Sequence, residues 1–338
     1  MKNLFITSAF LVLVFASCDN NDSDNNNDPA VTPELTLVTS SNTSGKITYT
    51  DLLAATPTVK SFTIASLDAE GISYNSDNDA VIVASRTNNK LETYTGIKSA
   101  LKAGTDNLML SASSLAGEFT NARETAVSGD IVVVAQDQLA SNGMINKFLV
   151  YKKTASSFSL VKSFTTDFKL WGIHINGNDL YAVADLTGDL VYFKDFMNNA
   201  SGTITATKRV TIAGLTRSHG ITYSSSEDVM ILTDVASATS GTDGGLIIIK
   251  NFSTVFNSTM AGGTIALMNQ IRVYGPNSTL GNPVDVAYDS VTKKIYVAER
   301  LNAGGQVLTF SYPTSTGDFA PLNVRAEAGV TSVFLLRK

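Results

Sequence analysis

Ser218-His219-Gly220-Ile221-Thr222-Tyr223, a polar turn at Ser224-Ser225-Ser226-Glu227-Asp228, and Ile231-Leu232-Thr233-Asp234 read as two short apolar strands joined by a hairpin. Alternation of apolar and polar residues over so few positions, bounded by turn formers, is the mark of half-buried strands. The unit recurs. Its second strand ends in Val38-Thr39-Ser40, Val83-Ala84-Ser85, Val134-Ala135-Gln136, Val183-Ala184-Asp185, Leu232-Thr233-Asp234 and Val297-Ala298-Glu299, at steps of 45, 51, 49, 49 and 65 residues. Before most copies lies a first strand opening in Glu70-Gly71-Ile72, Glu124-Thr125-Ala126, Trp171-Gly172-Ile173, His219-Gly220-Ile221 or Pro283-Val284-Asp285. A third strand follows, such as Thr93-Tyr94-Thr95 or Val191-Tyr192-Phe193, and then a fourth, such as residues 59–64 or 209–212.

Four strands per roughly 50 residues, six times over, predicts an all-β, six-bladed β-propeller. The chain enters in a second strand, and residues 329–336 are the matching first strand, so pairing of the C-terminal and N-terminal strands closes the ring and hides two sheet edges. The 65-residue step carries insertions at 237–245 and 252–263, and a degenerate seventh blade fits the same length. The cassette around His219, and the one running from Asn282-Pro283-Val284-Asp285-Val286-Ala287-Tyr288 to Ile295-Tyr296-Val297-Ala298-Glu299, resemble NHL- or YVTN-type propeller blades. The resemblance implies the fold. It is shared by binding and catalytic propellers, so it does not assign an activity.

The 338 residues include 25 Lys+Arg and 30 Asp+Glu, a formal charge of −5, with no basic block, which argues against a nucleic-acid partner. Hydrophobic residues make up 43%, enough for a packed core, and charged residues only 16%. One cysteine, Cys18, rules out a disulfide framework. It follows a short basic start, a twelve-residue apolar run over 4–15, and Ala16-Ser17. Twelve apolar residues are too few to span a bilayer but suit a signal peptide. The segment resembles a bacterial lipobox, with Phe15 where Leu is usual. The resemblance implies cleavage before Cys18 and a lipid on its thiol. Nine of the next ten residues are Asp or Asn, a composition with nothing to bury. It is similar to the acidic segment of surface-exposed Bacteroidota lipoproteins. The expected organisation is a signal peptide over 1–17, a disordered tether over 18–33 and a propeller over 34–338, lipid-anchored to a bacterial outer membrane and facing outward.

In antiparallel blades the start of the first strand and the end of the second meet at one mouth. That brings Glu70, Glu124, Trp171 and His219 together with Arg86, Asp185, Asp234, Glu299 and Arg300 as candidate ligand-binding residues. Oxygen donors suit a hard cation, so Ca²⁺ is expected at Glu70, Asp185 and Asp234 if the ring binds a metal. An indole at such a mouth can stack on a sugar. His174, inside a first strand, reads as structural. The turns at 75–79 and 224–228 look calcium-like, but hairpin chemistry accounts for both. No Gly-x-Ser-x-Gly elbow, His-Glu-x-x-His or P-loop occurs.

The leading expectation is a non-catalytic module that binds an extracellular or periplasmic glycan, peptide or protein. A second is a Ca²⁺-dependent hydrolase similar to gluconolactonase propellers, whose opening Glu-Gly is matched by Glu70-Gly71. His219 stands where that family would have Asn. A third is a structural part of an outer-membrane assembly.

Overall fold

The computed structural model describes residues 32–338. The expectations for the signal peptide, the lipidated Cys18 and nearly all of the tether lie outside them. Among the described residues no helix is long and apolar enough to cross a membrane.

Six antiparallel sheets make six blades. Blade 1 joins the two ends of the chain: Val330–Arg337 is its inner strand, followed outward by Leu35–Ser41, Lys46–Asp51 and Val59–Thr63. Blades 2 to 6 begin with inner strands Ala69–Asn75, Ala122–Ser128, Leu170–Asn176, Ser218–Ser224 and Pro283–Asp289. The inner strands touch one another in a closed ring around a central channel. The long 65-residue step does not hold a seventh blade. Its insertions are a loop before Gly245–Lys250 and the short helix Phe252–Ser258, and the fourth strand of blade 5 is Ile271–Tyr274.

Burial follows radial position. Second strands such as Ala80–Ser85 and Val229–Asp234 are buried throughout, because a neighbouring blade covers each face. Both sides of the pleat are therefore apolar, which produces the Val-Ala and Ile-Leu runs. Fourth strands face water, as in Val59–Thr63, where only Phe62 is buried. Six apolar clusters fill the wedges between blades; one packs Tyr181, Leu190, Met230 and Phe252 between blades 4 and 5. Two outer edges gain a short parallel strand from the following connection, Gly202–Thr203 on blade 3 and Thr264–Ile265 on blade 4. Each shortens an open edge.

The calcium-like turns are hairpins, as their composition predicted. Asp79 and Asp228 adopt left-handed φ of 51° and 53°. Their carboxylates accept from Tyr74 and Tyr223 and from Lys98 N and Ser253 N, in the first turns of Ile97–Ala103 and Phe252–Ser258.

Candidate functional site

Every inner strand carries a bulge near its start, where pairing with the second strand skips. Bulges re-aim side chains at rims. Here they create two stacked levels. Matching each strand from its first paired residue, the outer level holds Glu70, Arg123, Trp171, His219, Val284 and Thr331, and the level below holds Gly71, Glu124, Gly172, Gly220, Asp285 and Ser332.

The outer level is a plug. Trp171 and His219 lie flat against each other, ring centroids 3.4 Å apart and planes 4° apart, and the Arg123 guanidinium sits 4.0 Å from the indole centroid on blade 3's side. Trp171 is 6% exposed and His219 2%. The indole face is thus spent on its neighbours, and the expected sugar platform does not exist. Burial lowers the His219 pKa to about 4, so the imidazole is neutral at pH 7. Its Nε2 lies 3.1 Å from Asp185 Oδ1, and its Nδ1 has no partner among the described residues. Burial opposes ionisation of Asp185, but the hydrogen bonds from His219 and Arg217 outweigh it and hold the carboxyl below the usual range. Arg217 Nε approaches to 2.7 Å and Lys169 Nζ to 3.6 Å.

The remaining expected residues are accounted for one by one. Glu70 pairs with Arg86 at 2.9 Å, and Arg86 also reaches Asp68 at 3.5 Å; burial pushes the Glu70 carboxyl up against the pull of Arg86 and Arg123. Arg300 adds charge near Glu70 but makes no ion pair among the described residues. Asp234 accepts from Thr216, Arg217 N, Ala236 N and Tyr274, and Glu299 accepts from the backbone of Gly281, Asn282, Leu301 and Asn302. Both acids hold loops in shape. Asp185 stands one step beyond the register the Val-Ala signature predicts, since Leu170 pairs with Ala184 whereas Ala69 pairs with Ser85.

The expected calcium set of Glu70, Asp185 and Asp234 is corrected accordingly. Each acid is bound to a different cation or loop, and among the described residues no cluster of three or more His, Cys, Asp or Glu is arranged to hold a metal. Nor is the mouth an acidic ring. Arg86, Arg123, Lys169 and Arg217 offset its carboxylates pair by pair.

The lower level pinches the channel. A Cβ on Gly172 would fall 2.1 Å from His219 O, and one on Gly220 2.7 Å from Asp285 Cα, so these glycines permit the close approach of adjacent inner strands. Beneath, the channel widens into a cavity of about 210 Å³, closed by Glu124 and Asp285 and lined by Thr125, His174, Val286 and Phe334 among others. It opens at the opposite mouth, because inner strands such as Leu170–Asn176 and Val330–Arg337 pass from buried at their starts to half-buried at their ends. Glu124 therefore belongs to the channel, apart from Glu70 and Trp171. His174 lines the cavity as well, and burial lowers its pKa to about 4.

Asp285, Arg123, Lys169 and Arg217 were not among the expected site residues. A signal for Arg123 was present. Aligning Ala122 with Ala69 puts Arg123 opposite Glu70 and Glu124 opposite Gly71, whereas matching the two Glu residues slips the register by one.

No family model and no curated protein matches this chain. Solved structures are similar to it in fold. One chain of a nidogen/laminin complex shares 11% identity at a TM-score of 0.59, over 90% of this chain and 98% of that one. A Bacteroides fragilis protein with a provisional 6-phosphogluconolactonase assignment shares 13% at 0.58, over 91% and 100%. A Bacteroides uniformis protein with the same provisional assignment shares 14% at 0.54, over 88% and 84%. Identities this low speak for the propeller fold alone, and the chain is a six-bladed propeller with lactonase-like neighbours.

Proposed function

We propose that this protein is a non-catalytic binding propeller, anchored to the outer membrane through Cys18, which takes its ligand at the open end of the central channel. The observation that carries this reading is the contrast between the two ends of the channel. At the plugged end Glu70 and Asp185 are paired with cations, Asp234 and Glu299 with loop backbone, and Trp171 and His219 are buried against each other. The open end leads to a concave cavity whose lining is about equally polar and apolar, a place a small ligand can enter. A groove lined by Tyr74, Lys153, Leu336 and Lys338 adjoins it and shares Ser73, Val127 and Phe334. The anchor rests on the short apolar run, the small residues before Cys18 and the Asp/Asn segment after it.

The test is thermal melting of the full chain with xylo-oligosaccharides, dipeptides and n-alkylamines, in wild type and in Leu335→Trp, which fills the open mouth. One class should stabilise wild type, by about 3 kcal/mol at a hundredfold excess over Kd. The substituted protein should lose that shift. A shift that survives Leu335→Trp places binding elsewhere, and turnover of a sugar lactone replaces the reading with the hydrolase.

A further inference from the structure

Two carboxylates close the cavity, and no Lys or Arg lines it. Unlike Glu70 and Asp185 of the plugged end, neither Glu124 nor Asp285 meets a Lys or Arg among the described residues. Glu124 is 7% exposed and Asp285 7%. Asp285 accepts Val286 N at 2.7 Å on Oδ1 and Val333 N at 2.8 Å on Oδ2. Glu124 Oε1 accepts Thr125 N at 2.8 Å, and Oε2 has no hydrogen bond among the described residues. Thr125 Oγ1, against Gly71 of the neighbouring strand, is shut off from the cavity and has no partner among the described residues. Glu124 Oε2 is the carboxylate oxygen left free to accept from a donor that enters the cavity.

The rest of the lining limits what that donor can be. Ile173, Ile221, Val286 and Val333 supply hydrocarbon walls, and Tyr288 and Phe334 stand toward the opening. A hard metal ion takes six or more oxygens, and three of the four carboxylate oxygens here already serve backbone N–H groups. An ammonium group has three donors. Glu124 Oε2 and the remaining lone pairs of Asp285 can accept from it. From Glu124 to Ser128 and from Asp285 to Asp289, the ends of their strands, is four residues, about 13 Å of channel.

We propose that the closed end of the channel is a site for a small organic cation, an alkylammonium head group held by Glu124 and Asp285 with its apolar tail running toward Phe334 and Leu335. This rests on the reading of the channel as the ligand site and names its ligand class. The amine is bound as it arrives, protonated, and no bond is made or broken.

The experiment is titration calorimetry of the full chain with ethylammonium, n-hexylammonium, hexanoate and hexan-1-ol at pH 8. Hexylammonium should bind at least tenfold more tightly than ethylammonium, and hexanoate should not bind. Glu124→Gln with Asp285→Asn should weaken hexylammonium at least tenfold, while leaving hexanol unchanged. Hexanol or hexanoate binding as tightly as hexylammonium, and lost in Leu335→Trp, overturns the cation and keeps the channel as the ligand site. If none of the four binds, both the cation and the channel reading fail.

Discussion

Neutral His219 and the acids Glu124 and Asp285 illustrate how one environment moves opposite groups in opposite senses. Burial disfavours charge. It lowers the histidine and pushes Asp285 up to about 7, with Glu124 well above the usual carboxylate range; the charge of Asp285 adds to the rise of Glu124, and that of Glu70 to the rise of Asp285. For the histidines, the unfolded chain binds protons that the folded one refuses between pH 6.5 and about 4, so their contribution falls as the pH falls through that window. For the two acids, the folded chain keeps protons that the unfolded one releases above about pH 4, so stability is lost as the pH rises toward and through 7. Removing the acids should therefore help only at the alkaline side. Glu124→Gln with Asp285→Asn is expected to match wild type near pH 4 and exceed it at pH 8, by an amount on the order of 3 kcal/mol. Denaturant melts at both pH values check this; parallel curves for the two proteins would count against acids held protonated by burial.

At the level of elements, the seam of blade 1 matters most, because it is the place where the ring is closed by two strands far apart in sequence. Leu35 to Ser41 pair with Val330 to Arg337 throughout. Arg337 spans the joint to blade 6, its Nε and Nη2 at 2.7 and 2.6 Å from the two oxygens of Asp289, which is 2% exposed. A fork of this kind, with one partner buried, contributes about 2 kcal/mol. Arg337→Ala should therefore lower stability by that amount, and deleting residues 329–338 should abolish cooperative unfolding, since it strips a strand and exposes two sheet edges. A truncated chain melting with wild-type sharpness would show that blade 1 does not need its C-terminal strand. Fluorescence-detected denaturation reads both, with the lone tryptophan, Trp171, stacked in the plug as probe.

For the molecule as a whole, the expected arrangement is a rigid ring carried at the end of a polar tether on a lipidated Cys18. Several acyl chains hold a protein firmly at a membrane, whereas one is marginal. Cys18→Ala should leave an unprocessed, unlabelled precursor in cells fed a tagged fatty acid, while wild type partitions with outer membranes. Recovery of soluble, unlipidated wild-type protein would refute the anchor. Calcium is not expected to enter this picture through the plugged mouth, where salt bridges and loop backbone already occupy the acids.

Blade number, closure of the ring and the hairpin role of Asp79 and Asp228 were legible in the sequence, because they follow from local alternation, turn chemistry and a repeat length that survives without any knowledge of contacts. The convergence of Glu70, Trp171 and His219 on one mouth was legible too, since strand polarity alone dictates it. What they do there was not. A one-residue bulge at the start of each inner strand separates Glu124 from Glu70 and sets it facing the cavity with Asp285, a shift invisible to a pattern of period two. Stacking of Trp171 on His219 and the lack of any cation beside Glu124 and Asp285 depend on side chains brought from different blades, and the spending of Asp234 and Glu299 on loops depends on the shapes those loops take. Local sequence sets which residues form strands and where the chain turns; whether a carboxylate ends beside an arginine, a backbone N–H or an empty cavity is decided only when the ring closes.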